Sequence, residues 1–156
     1  MIRTLLIAVL LLFMPAAATA QSLGDPPAVY VASVYDRLAN GGDHDPPETL
    51  YTPRLLALWK DMKRDSGGEI GRIDFFYWTG SQDWALKDVT IGSAFVDGHE
   101  DRQMVTASFR NGGEPRRIRF YFEKTGGKWR LDDVVSEVGE IWTLSVLLKY
   151  GRPGGD

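Results

Sequence analysis

The chain has 156 residues, 44% of them hydrophobic and 25% charged, with a formal net charge of −3. This is the composition of an ordinary globular protein with room for one domain, neither collagen-like nor disordered. The absence of cysteine excludes disulfides, thiolate metal sites, cysteine nucleophiles and lipid attached through cysteine, and mild acidity with mixed signs argues against nonspecific nucleic-acid binding, which needs clustered Lys and Arg.

In chain order, residues 1–20 read as a secretory signal peptide: Arg3 gives a basic start, Leu5 to Met14 is apolar, and Ala18-Thr19-Ala20 is a small-residue cleavage site. The apolar stretch is shorter than the roughly 20 residues that a membrane-spanning helix needs. Cleavage after Ala20 predicts a periplasmic or secreted protein with no membrane span, and the loss of Arg3 makes it one unit more acidic.

From Asp25 the period is helical. Asp25 can cap, Pro26 suits the first helical position, and Val31, Val34, Tyr35 and Leu38 recur on one face until Gly41-Gly42. After the loop Gly41 to Pro47, Thr52-Pro53 starts a second helix. It carries Leu55, Leu56, Trp59 and Met62 on one face and Lys60, Lys63 and Arg64 on the other, and stops at Ser66-Gly67-Gly68.

Beyond this point the period becomes two, punctuated by Asp97-Gly98, Asn111-Gly112-Gly113 and Gly126-Gly127. Four strands follow, built on Val89/Ile91/Phe95, Val105/Ala107/Phe109, Ile118/Phe120/Phe122 and Trp129/Leu131. The basic cluster Arg116, Arg117 and Arg119 sits in the segment where Ile118, Phe120 and Phe122 alternate and reads as a solvated strand face rather than a site for an anionic ligand or partner. That outer face also holds Tyr121, Thr106 and Ser108, too polar to commit to a dimer. Ile141 to Tyr150 predicts a short C-terminal helix, and Gly151 to Asp156 a disordered tail. The expectation is therefore one α+β domain over residues 21–150, with two N-terminal helices packed on a curved four-stranded antiparallel sheet and a short C-terminal helix. Its order of elements looks like the cone-shaped fold of nuclear transport factor two and ketosteroid isomerase.

Four stretches carry a closer likeness: Asp25-Pro26-Pro27 leading to Tyr35, Tyr51-Thr52-Pro53-Arg54-Leu55, Ser81-Gln82-Asp83-Trp84, and Lys128-Trp129-Arg130-Leu131-Asp132-Asp133-Val134. Together they resemble a family of small secreted bacterial proteins classed as a domain of unknown function with the same cone-shaped fold. The resemblance runs over most of residues 25–150. It implies an exported domain and supplies no catalytic residues. Some members are envelope lipoproteins, whereas this chain lacks the cysteine that would carry the lipid.

No serine-hydrolase elbow, phosphate-binding loop or dinucleotide fingerprint occurs, and no cofactor is implied. His44 and His99 lie among carboxylates in polar loops without a second nitrogen ligand at helical spacing, so both read as solvated and no metal site is expected. Two carboxylates are candidate acid/base groups. Asp83, between Gln82 and Trp84, either caps a turn or sits beside an indole with a raised pKa. Asp133 would share a face with Trp129 and Leu131 under strict alternation, so either the strand ends there or Asp133 has a partner near Tyr77, Trp78 or Asp83. The run Phe75-Phe76-Tyr77-Trp78 is too dense for a one-sided strand, leaving part of it for a core and part for a cavity or patch. Candidate binding residues are thus Tyr77, Trp78, Gln82, Asp83, Trp84, Trp129 and Asp133. The leading expectation is a noncatalytic module binding an envelope protein or a small apolar or cell-wall-derived molecule. The alternatives are an isomerase-like or hydratase-like enzyme using Asp83 or Asp133, and an inhibitor or immunity-type protein.

Overall fold

The computed structural model describes residues 26–67 and 71–152, so the expected leader and most of the expected tail lie outside the described residues. Helix α1 (Pro27–Ala39) starts one residue later than the sequence suggests: Pro26 is its N-cap, and Pro27 supplies a preset φ where no backbone donor is needed. Its Val31, Val34, Tyr35 and Leu38 are all buried, and the chain turns away at Gly41, whose φ is +77°. A 3-10 turn (Glu48–Leu50) leads to α2 (Pro53–Asp65), where the Thr52 hydroxyl accepts the Leu55 backbone N–H at 3.3 Å.

Strands β1 (Leu86–Val96), β2 (His99–Asn111), β3 (Glu114–Thr125) and β4 (Lys128–Val138) form the expected antiparallel meander. At Gly112-Gly113 and Gly126-Gly127 two consecutive residues hold positive φ, as two-residue hairpins require and a side chain would resist. Alternation along β2 and β3 puts Val105, Ala107, Phe109, Ile118, Phe120 and Phe122 into the core. Among the described residues the sheet has five strands rather than four. β5 (Trp142–Thr143) pairs with Val135 and Ser136, and it takes the start of the segment expected to be helix, leaving α3 as Leu144–Tyr150. Among the described residues the fold is α+β with three α-helices and an open antiparallel sheet in the order β1-β2-β3-β4-β5.

β4 does not keep strict alternation. Tyr121 opposes Asp133 while Phe122 opposes Leu131, so Asp132 is an extra residue, a β-bulge. Leu131 and Val134 both enter the core across this bulge, and Asp133 falls on the opposite face beside Tyr121. The strand neither ends at Asp133 nor buries it.

Between α2 and β1 the dense aromatic run lies in irregular chain. Tyr77 and Trp78 are buried, and Phe75 and Phe76 are half-buried. Trp78 stacks on Phe120 with centroids 4.5 Å apart, and its carbonyl accepts the buried Tyr35 hydroxyl. These large rings bring together α1, the irregular segment and the sheet, where each full burial contributes roughly 2–3 kcal/mol.

Candidate functional site

The loop after α1, the outer flank of α2 and residues 75–77 enclose a cleft of about 520 Å³. One side is a continuous aromatic wall. Tyr51 lies 6.2 Å from Trp59, Trp59 lies 6.1 Å from Tyr77, and Tyr77 lies 6.0 Å from Phe76, centroid to centroid. Leu56 and Phe75 extend the apolar lining, while Asp43, Asp45, Glu48, Lys60 and Lys63 supply charge of both signs. Lys60 reaches Glu48 at 3.4 Å, so part of that charge is internally matched. A concave surface with an aromatic wall facing a charged rim can hold a small molecule that has both apolar and polar parts.

The polar groups are fixed by hydrogen bonds. The Tyr51 and Tyr77 hydroxyls are 3.0 Å apart. Tyr30 Oη lies 3.3 Å from His44 Nε2, and Arg37 approaches His44 Nδ1 at 3.5 Å. Donation from Arg37 makes Nδ1 an acceptor and leaves the proton on Nε2, directed at Tyr30. The imidazole edge meets the Trp78 ring at 5.1 Å. Burial first, and Arg37 second, push the His44 pKa down to about 4, against the pull of Asp45 and Asp43. Burial, reinforced by Tyr51 and opposed by Arg37, raises Tyr30 to about 12. Burial also raises Tyr51, against the hydrogen bond from Tyr77, and raises Tyr77 well above the ordinary phenol.

His44 is therefore not a solvated loop histidine. It is 7% exposed, and its loop folds inward because Tyr30 and Arg37, two helical turns apart on one face of α1, both reach the ring. That spacing was present in the sequence, but the histidine's acidic neighbours masked it. Tyr51 and Trp59 likewise read as parts of motifs or core stripes, and only the packing of α2 against residues 75–77 makes them one wall.

The residues singled out from sequence are dispersed. Tyr77 lines the cleft. Trp78 lies wholly buried behind it. Trp84 is half-buried against Phe76, with centroids 5.2 Å apart. Gln82 and Asp83 are exposed, and the Asp83 carbonyl accepts the Ser81 hydroxyl at 2.7 Å. Trp129 is half-buried on the far side of the sheet's end, 6.5 Å from Phe95 and beneath the Lys124 ammonium. Asp133 borders a different hollow of about 350 Å³ with Arg102, Tyr121 and Val135.

The acidic pair at the bulge serves two helices. Asp132 accepts from the Thr52 hydroxyl at 2.8 Å and from Arg54 Nε and Nη2 at 3.1 and 3.0 Å, tying β4 to the start of α2. Asp133 holds the start of α3 through Ser145. Among the described residues no group of three His, Asp or Glu side chains is placed to hold a metal ion, and no helix is long and apolar enough to cross a membrane. Comparison with protein-family models, curated proteins and solved structures found no match.

Proposed function

We propose that the protein is an exported, noncatalytic binding module that takes a small, partly apolar molecule into the aromatic cleft. The observation that carries this reading is the pairing of a concave aromatic wall with polar groups whose protonation does not change near neutral pH. An acid/base catalyst works best with a group titrating near the working pH. Here His44 is held near 4 and Tyr30 near 12, so at neutrality both are neutral hydrogen-bonding groups. His44, which lines the cleft, orients a ligand without exchanging protons with it, and Tyr30 holds the ring from outside the lining. Asp83, exposed at a turn, and Asp133, occupied by Ser145 and by its neighbour's backbone N–H, are better suited to structure than to catalysis.

Export rests on the N-terminal leader pattern, and the cone-shaped family on the four sequence stretches and on the order of two helices before a meander. A ring that stacks on the half-buried Trp59, Phe75 and Phe76, in front of the buried Tyr51 and Tyr77, while meeting the mixed charge of the rim fits the cleft best, a description that suits an aromatic or sugar-like cell-wall fragment. The test is a fluorescence titration with 1-anilinonaphthalene-8-sulfonate on the purified protein, with Leu56→Arg as the blocked variant. Leu56 is half-buried on the cleft side of α2, so Arg tolerates the helix while filling the void. Saturable binding near one probe per chain that the substitution abolishes supports the reading. No saturable binding, or binding indifferent to Leu56→Arg, overturns it.

A further inference from the structure

Among the described residues β1 is an edge strand, hydrogen-bonded to β2 alone. A free edge presents unpaired N–H and C=O groups, and proteins ordinarily blunt it with charge, proline, bulges or a covering element. At the opposite edge β5 is two residues long and runs directly into α3. β1 has irregularities between Lys87 and Thr90 and after Phe95, but the regular run Thr90–Phe95 contains neither charge nor proline. Gly92, Ser93, Ala94 and Phe95 are all exposed, Phe95 at 57%. Beside this edge, α1 offers a shallow groove lined by Ala28, Val29, Ala32, Ser33 and Ile91, with Asp36 at its end, and Val29 is 41% exposed.

We propose that the free edge of β1 and the adjoining flank of α1 form a homodimer interface, in which a second copy of this chain adds its own β1 antiparallel across a two-fold axis. The sequence of β1 is complementary to itself in that arrangement. Ile91, Ser93 and Phe95 oppose the inward-facing Ala107, Val105 and Gln103, so they lie on the α1 side of the sheet. A two-fold centred on Gly92 sets Ile91 against Ser93 of the second copy and, just beyond the regular run, brings Val89 towards its Phe95, beneath the two α1 helices. On the other face Thr90 meets Ala94 and Gly92 meets itself, with nothing large to clash. The small residues on the flank of α1 let the paired helices approach each other.

Charge also favours the antiparallel arrangement with a second copy. At one end of β1, Arg110 pairs with Asp88 at 3.8 Å and Lys87 leaves a net positive charge; the other end carries Asp97, Glu100 and Asp101 against Arg102, a net negative one. Antiparallel pairing runs the basic end of each copy against the acidic end of the other, whereas parallel pairing would oppose like charges.

The test is sedimentation velocity from low to high micromolar concentration on the purified protein and on two variants, Ser93→Lys at the strand edge and Ala32→Arg on the helix flank. Both sites are exposed, and unchanged far-ultraviolet circular dichroism confirms the fold. The expected result is a monomer–dimer equilibrium that each substitution weakens about ten-fold or more, a loss of about 1.4 kcal/mol. Hydrogen exchange should slow at alternate amides within Thr90–Phe95 as concentration rises. A monomer throughout the range, or a dimer indifferent to both substitutions, overturns the proposal.

Discussion

The carboxylate of Asp133 caps the C-terminal helix through Ser145: Oδ1 accepts the Ser145 backbone N–H at 3.0 Å and Oδ2 accepts its hydroxyl at 2.5 Å. Thr143, the formal N-cap of α3, makes no side-chain bond of its own. A residue twelve positions earlier, on β4, thus satisfies an orphan donor of the helix. Asp133→Ala should destabilise the fold by about 1–2 kcal/mol. Asp133→Asn, which keeps one acceptor oxygen, should cost less. Urea denaturation of both variants checks this, and equal losses would show that the carboxyl oxygens do not cap α3.

The neighbouring Asp132 links stability to acid. Burial alone would raise its pKa, but the hydrogen bonds from Arg54 and Thr52, with the Arg54 charge, outweigh burial and hold it below the ordinary carboxylate range. The folded state therefore releases this proton more readily than the unfolded chain. The stabilisation is present above the unfolded-state value of about 3.9 and is lost as pH falls through the lower folded value. Because both side chains are partly open to solvent, the contribution is modest. Asp132→Asn should flatten the acid limb of stability below about pH 4, read from urea midpoints at successive pH values. An unchanged limb would mean that the Arg54 pair is fully screened.

Strict period two made Asp133 a dilemma between a strand end and a buried charge, and the bulge resolves it by inserting one residue. Nothing local in Leu131-Asp132-Asp133-Val134 announces a bulge; it follows from Asp132 and Asp133 being drawn toward two helix starts that are distant in sequence. The helices and hairpins were legible because capping prolines, paired glycines and apolar spacing act within a few residues. The short β5 was not, since Trp142 and Thr143 become a strand only by pairing with Val135 and Ser136. The cleft was legible in one wall residue, Tyr77, and hidden in His44, Tyr51 and Trp59. Burial of a polar loop depends on what the rest of the chain brings over it.

The Tyr51–Tyr77 hydroxyl pair provides a direct measure of the wall's coupling. Both groups are buried and 3.0 Å apart, so removing either hydroxyl leaves the other without that partner. Tyr77→Phe and Tyr51→Phe should each cost about 1 kcal/mol, while the double variant should cost less than the sum of the two. Additive losses in a double-mutant cycle would show that the two hydroxyls do not interact in solution.

His44 should make the protein less stable in mild acid. Its folded pKa of about 4 lies below the ordinary value of 6.5. Between these limits the unfolded chain binds a proton that the folded chain excludes, so stability rises with pH across this window and falls on acidification from about pH 6.5 towards about pH 4. The loss belongs to the ring itself, because protonation charges a buried imidazole, places a second positive charge beside Arg37 and turns Nδ1 from an acceptor into a donor facing a guanidinium. His44→Gln, which keeps a neutral polar group of similar reach, should remove this slope while leaving the lower-pH limb due to Asp132 in place. Chemical shifts of the His44 ring protons, followed through a pH titration, give the folded pKa directly. A midpoint near 6.5 would place the ring in solvent and dissolve the buried polar floor on which the cleft rests.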